Sequence, residues 1–82
     1  MMDTIGFLEL NSIAKGVEAA DIVVKTADVR LAFAKAGCPG KYYILLTGEV
    51  AAVEASLAAG AAVGGHHVVD SCLIPRVHPQ VI

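Results

Sequence analysis

Along the chain, apolar and polar positions alternate in some stretches and recur at helical spacing in others. Thr4–Leu10 alternates, with Ile5 and Phe7 on one face and Leu8 and Leu10 on the other, and predicts a first strand. Asn11 and Ser12 follow, offering side-chain oxygens to cap the free N–H groups of a first helical turn. Ile13, Val17, Ala20 and Val24 then recur at helical spacing, while Lys15, Glu18 and Lys25 face elsewhere; this predicts a helix over Ser12–Ala27. Asp21 and Lys25 form an i,i+4 pair in the favourable order. Val29, Leu31 and Phe33 alternate with Arg30, Ala32 and Ala34, a strand with one heavier face.

Lys35–Lys41 breaks the pattern with two glycines and a proline, so it reads as a turn. Tyr42–Thr47 is apolar on both faces, as a central strand is. Gly48 and Glu49 open a second helix, the carboxylate suiting the positive end of the helix dipole. Val50, Val53, Leu57 and Ala61 mark its buried stripe, alanine fills most other positions, and Gly64-Gly65 ends it. Val68–Ile74 is the last strand, stopped by Pro75. The order is strand, helix, strand, strand, helix, strand. That is an α+β fold, the ferredoxin-like split βαβ: a four-stranded antiparallel sheet with two helices on one face. The other face then needs water or a partner.

With 82 residues the chain is read as a single domain, residues 1–82, near the size at which one hydrophobic core is marginal. Yet 56% of it is hydrophobic with only 5% aromatic, more apolar surface than so short a monomer hides, which favours association of copies. No stretch approaches the roughly 18 apolar residues of a membrane span, and Asp3 and Glu9 interrupt any signal-peptide core. The chain therefore reads as cytoplasmic, with no membrane partner. A formal charge of −2 with six Lys and Arg gives no nucleic-acid footprint. Of the two cysteines, Cys38 stands at the tip of the central turn and Cys72 within the last strand, where it reads as a small packed hydrophobe. No CxxC pair occurs, so a metal site at Cys38 needs thiolates from several copies. His66-His67 reads as a polar helix–strand connection, and no acid–base or nucleophile–histidine pair is evident, so the chain is not read as an enzyme.

Four segments then carry a resemblance: Ile5-Gly6-Phe7-Leu8-Glu9; Glu18-Ala19-Ala20-Asp21 followed by Lys25; Thr47-Gly48-Glu49-Val50; and Ile74-Pro75-Arg76-Val77-His78. In this order, and over nearly the whole chain, they resemble the bacterial microcompartment (BMC) shell-protein domain. The resemblance implies a cyclic homohexamer with a central pore that tiles into the shell around an encapsulated pathway. It implies other shell proteins as partners, with encapsulated enzymes as further ones. Lys25 and Arg76 match the residues at the edge between hexamers, and His78 follows them in an edge or surface role. Gly37, Cys38, Pro39, Gly40 and Lys41 fall where members line the pore.

Within the family, Ser12-Ile13-Ala14-Lys15-Gly16 and Cys38-Pro39-Gly40-Lys41 are most similar to the first half of the tandem-domain shell proteins of propanediol utilisation. Shell proteins associated with glycyl-radical enzymes carry a similar Gly-x-Cys-Pro turn. In both groups the matching cysteine binds an iron–sulfur cluster, which implies a 4Fe–4S cluster at Cys38 shared between subunits, for electron transfer or cluster delivery. A proline directly after a ligating cysteine is a feature of such loops, and Lys35 and Lys41 favour thiolate if they lie close. Two other functions compete: a shell tile whose metal-free pore passes small polar metabolites, and a small soluble ligand-binding regulatory domain.

Overall fold

The computed structural model describes the backbone of residues 3–37 and 39–77, and the side chains of 4–37 and 39–74. Its elements run β1 (Asp3–Leu10), α1 (Ile13–Thr26), β2 (Val29–Gly37), β3 (Lys41–Gly48), α2 (Val50–Gly64), a 3-10 turn (Gly65–His67) and β4 (Val68–Val77). The strands form one antiparallel sheet in the order β2-β3-β1-β4. This is the ferredoxin-like arrangement expected from the order of elements.

The alternation in β1 and β3 decides which face is covered. Leu8, Leu10, Ile44 and Leu46 are buried and pack with Ala19 and Val23 of α1 and Val53 and Leu57 of α2. Ile5, Phe7, Tyr43 and Leu45 point to the other face and are half-buried. Glycines let the helices approach closely. A Cβ on Gly6 would meet Val53 at 2.7 Å, one on Gly16 would meet the Tyr42 side chain at 2.3 Å, and one on Gly60 would meet Val23 at 2.9 Å. Ser12 caps α1, its hydroxyl accepting from the Lys15 N–H at 3.2 Å. Glu49 stands at the N-cap of α2 without a side-chain capping bond.

Four expectations change. In α1 the buried stripe is Gly16, Ala19, Ala20 and Val23, while Ile13, Val17 and Val24 are exposed. The apolar arc of this helix is wider than the contact, and the sheet takes its small-residue side because Gly16 lets Tyr42 come close. In α2, Val53 and Leu57 are buried as expected, but Val50 is exposed. A register shift between Leu31 and Phe33 sends these two residues to opposite faces, Leu31 opposite Leu46 and Phe33 opposite Leu45. β4 runs on through Pro75 to Val77, which an edge strand with a register shift beside it tolerates because the missing N–H has no ladder bond to make.

The 3-10 turn after α2 is tied to the end of β1. The Asn11 N–H donates to the His67 carbonyl at 2.9 Å, and His67 Nδ1 lies 3.0 Å from Asn11 Oδ1. His66-His67 is thus the polar connection expected of it.

Candidate functional site

Pairing of Gly37 with Lys41 leaves a three-residue loop, 38–40, at the tip of the β2–β3 hairpin. Gly40 closes it at φ +67°, the left-handed conformation that such loops use and that costs glycine nothing. Pro39 and Gly40 are exposed, and no atom lies within 4 Å of where a Cβ on Gly40 would stand, so this part of the loop borders open space. A Cβ on Gly37 would meet the Tyr43 ring at 2.5 Å, so the ring covers the backbone just below the tip. Cys38 lies outside the described residues.

The two flanking lysines do not turn toward the tip. The Lys35 ammonium lies 5.1 Å from the centre of the Phe33 ring, a cation–π contact. The Lys41 ammonium lies 3.1 Å from Glu9 Oε2. Phe33 is level with Leu45 and Glu9 with Tyr43, both further from the tip than the Gly37–Lys41 pair. The expected assistance of these two charges to a thiolate involves Cys38, which lies outside the described residues.

Strand parity brings together residues that the sequence reading left apart. Lys35, Tyr43, Glu9 and Asp70 form one row across the open face, and Phe33, Leu45, Phe7 and Cys72 form the next. Phe7 and Tyr43 stack at 6.2 Å between ring centres and 22° between planes. Glu9 and Asp70 stand directly opposite each other, and Lys41 supplies the positive charge that offsets their repulsion. Cys72 is exposed beside Phe7, not packed, because its strand turns it to the face that no helix covers. Counting strand parity across the register would have shown this row; the missing information was the register itself.

The expected edge residues sit at the other end of the molecule. The hairpin tip lies at the Leu10 end of β1, since Leu10 pairs with Tyr42. At the opposite end Asp3 pairs with Val77 of β4, so the backbone of Arg76 lies there; its side chain is outside the described set, and His78 lies wholly outside it. α1 starts just after Leu10 and runs back along the sheet, so Lys25 in its last turn is also remote from the tip. Lys25 Nζ is 3.0 Å from Asp21 Oδ2, an exposed pair. Among the described residues no three His, Cys, Asp or Glu side chains gather as a metal site, and no helix is long and apolar enough to cross a membrane.

Comparison with known proteins agrees with this architecture. Residues 4–77 match the BMC domain. The chain is 45% identical to the bacterial microcompartment shell protein PduT of Citrobacter freundii, over all of this chain and 45% of that protein. It is 35% identical to the major carboxysome shell protein CsoS1A of Halothiobacillus neapolitanus, covering 94% of this chain and 82% of that one. A crystal structure of a microcompartment protein from Desulfitobacterium hafniense superposes with a TM-score of 0.94 at 52% identity, over 99% of this chain and 45% of that one. The chain spans less than half the length of the first curated relatives it matches. These relatives are named as shell proteins, not enzymes, and the chain belongs to the BMC-domain family of bacterial microcompartment shell proteins.

Proposed function

We propose that residues 1–82 form one tile of a microcompartment shell in the bacterial cytoplasm, a cyclic homohexamer in which the β2–β3 tips meet around a pore. The observation that carries this reading is the separation of the tip from Lys25 and the Arg76 backbone, which lie at opposite ends of the sheet. A ring with the tips inward then has the edge residues outward, where neighbouring tiles and other shell proteins meet. Encapsulated enzymes are further partners of such a shell. The family assignment displaces the regulatory-domain reading.

At the pore, Cys38 is the residue we assign to a shared 4Fe–4S cluster, which would supply one-electron transfer across the shell. The donor set fits only as a shared one: a single chain offers one thiol in this loop, so the ligands come from several copies. The open space about Gly40 and the two lysines turned away leave the tip uncrowded for that approach. Six cysteines around the axis exceed the four that a 4Fe–4S cluster uses, so at most about one cluster per ring is expected. Iron and sulfide analysis after anaerobic reconstitution tests the assignment. Cys38→Ser should abolish bound iron and leave the assembly intact, and Cys72→Ser should leave iron unchanged. Equal iron in the Cys38→Ser protein and the parent would leave a metal-free pore for small polar metabolites.

A further inference from the structure

The turn that joins α2 to β4 holds two of the chain's three histidines, His66 and His67. In a strand their side chains would point to opposite faces. The chain makes a 3-10 turn there instead, after Gly65 ends α2 at φ +56°, a left-handed backbone that favours glycine. The two imidazole rings come together in this turn, 4.1 Å between centres and 37° between planes. His66 is exposed and His67 half-buried, so solvent reaches the pair.

His67 is held at two points by one residue. Its carbonyl accepts from the Asn11 N–H at 2.9 Å, and its Nδ1 lies 3.0 Å from Asn11 Oδ1. An amide oxygen only accepts, so Nδ1 carries the hydrogen of that contact and the neutral ring keeps its lone pair at Nε2. Metal-binding imidazoles are oriented in the same way, by an oxygen acceptor on the far ring nitrogen. The local field also suits a cation. The turn follows directly on the last residue of α2, at the negative end of the helix dipole, and the last turn of that helix carries no Lys or Arg.

We propose that His66 and His67 together bind one divalent first-row cation, copper(II) or nickel(II), through Nε2 of His67 and one ring nitrogen of His66. Ring spacing favours these ions over zinc. With metal–nitrogen bonds of about 2.0–2.1 Å, two imidazoles set at about 90° have centres roughly 4.5 Å apart, and two at the tetrahedral angle roughly 5.2 Å. The 4.1 Å found here is nearer the first, the angle of tetragonal copper and nickel sites. Imidazole nitrogen suits both ions, and copper(II) binds most tightly of the divalent series. Water fills the remaining positions, since the pair faces solvent, so the ion is exchangeable. This site uses no residue of the hairpin tip and is complete in one chain, so it goes beyond the tile reading and does not depend on it.

The test titrates copper(II) chloride into the full chain carrying Cys38→Ser and Cys72→Ser, which removes the thiols that copper would capture or oxidise. Calorimetry should give one ion per chain, and electron paramagnetic resonance should show coupling to two imidazole nitrogens. In this background His66→Gln and His67→Gln should each weaken binding at least tenfold and lose one coupled nitrogen, while His78→Gln binds as before. Asn11→Ala should weaken binding about tenfold with both nitrogens still coupled, and Asn11→Asp, which keeps the acceptor, should restore it. Unchanged affinity in His66→Gln or His67→Gln, or an equal loss in His78→Gln, would overturn the site. Unchanged affinity in Asn11→Ala would overturn the positioning role of Asn11. Circular dichroism checks each fold; if His67→Gln unfolds, His66→Gln, at an exposed position, decides alone. Because Cys38 is replaced throughout, no outcome bears on the cluster assigned to the tip.

Discussion

The two faces of the sheet are made from the same strands, one residue apart, yet they obey different rules. The covered face is packed tightly enough that four glycines, Gly6, Gly16, Gly60 and Gly64, stand where a Cβ would fall within 3.0 Å of a neighbour. The open face keeps Phe7, Phe33, Tyr43 and Leu45 half-buried or exposed, with charges along one margin. The first face fixes the fold of one chain. The second is covered by no helix or strand among the described residues.

Adjacent residues on β1 test this division most directly. Leu8 is fully buried and Phe7 half-buried on the opposite face. Leu8→Ala should cost about 2–5 kcal/mol in denaturant unfolding, the transfer loss plus a cavity among closely packed neighbours. Phe7→Ala should cost less than half of that in the dissociated chain. An equal loss at both positions, measured under dissociating conditions, would mean that the open face is as much core as the other.

Gly16 provides the next test, because two known effects oppose each other there. Replacing a helical glycine by alanine gains up to about 1 kcal/mol of helix propensity, and Gly16 stands in the first turn of α1. The new Cβ would lie 2.3 Å from Tyr42 Cγ and 2.4 Å from Tyr42 Cβ, at the root of the side chain, where rotation cannot relieve the overlap. Overpacking of this kind costs about 1–3 kcal/mol, so Gly16→Ala should be net destabilising. A raised melting temperature would show that α1 is free to lift from the sheet.

On the open face the effects are smaller. Lys41→Ala removes the cation paired with Glu9 and leaves Glu9 and Asp70 opposed without it, whereas Glu9→Gln removes one of the opposed charges as well as the bridge. Lys41→Ala should therefore cost about 1 kcal/mol and Glu9→Gln only a few tenths, as partly exposed pairs do. The reverse order in urea titrations would show that the bridge is not what sets this row.

Most of the fold was legible because β1 alternates, Tyr42–Thr47 is apolar on both faces, and turn residues separate the elements. What was not legible depended on which neighbour an element meets. Periodicity in α1 marks a broad apolar arc, and choosing between Val17 and Gly16 as its centre requires knowing that Tyr42 stands beneath. The bulge at Ala32 and the passage of β4 through Pro75 are properties of pairing, not of the residues alone. Of the site, the turn was visible from its glycines and proline, but the direction of Lys35 and Lys41 follows from Phe33 and Glu9, which only the register brings near.

Lys25 is the position where stability and assembly should separate most cleanly. Its bond to Asp21 joins two side chains that are 69% and 56% exposed, so breaking it costs the fold only a few tenths of a kcal/mol. For the same reason the ammonium exchanges Asp21 for a neighbour's carbonyl or carboxylate at little cost. If Lys25 lies on the outer edge of the proposed tile, that exchange recurs around the ring, and a loss of about 1 kcal/mol per contact is multiplied across the sheet. Lys25→Ala should leave the unfolding midpoint within about 1 °C of the parent and the ring intact, since this residue is remote from both the tip and the core. Extended sheets, seen by negative-stain microscopy, should disappear. A variant that tiles as readily as the parent would remove Lys25 from the edge without touching the proposed ring.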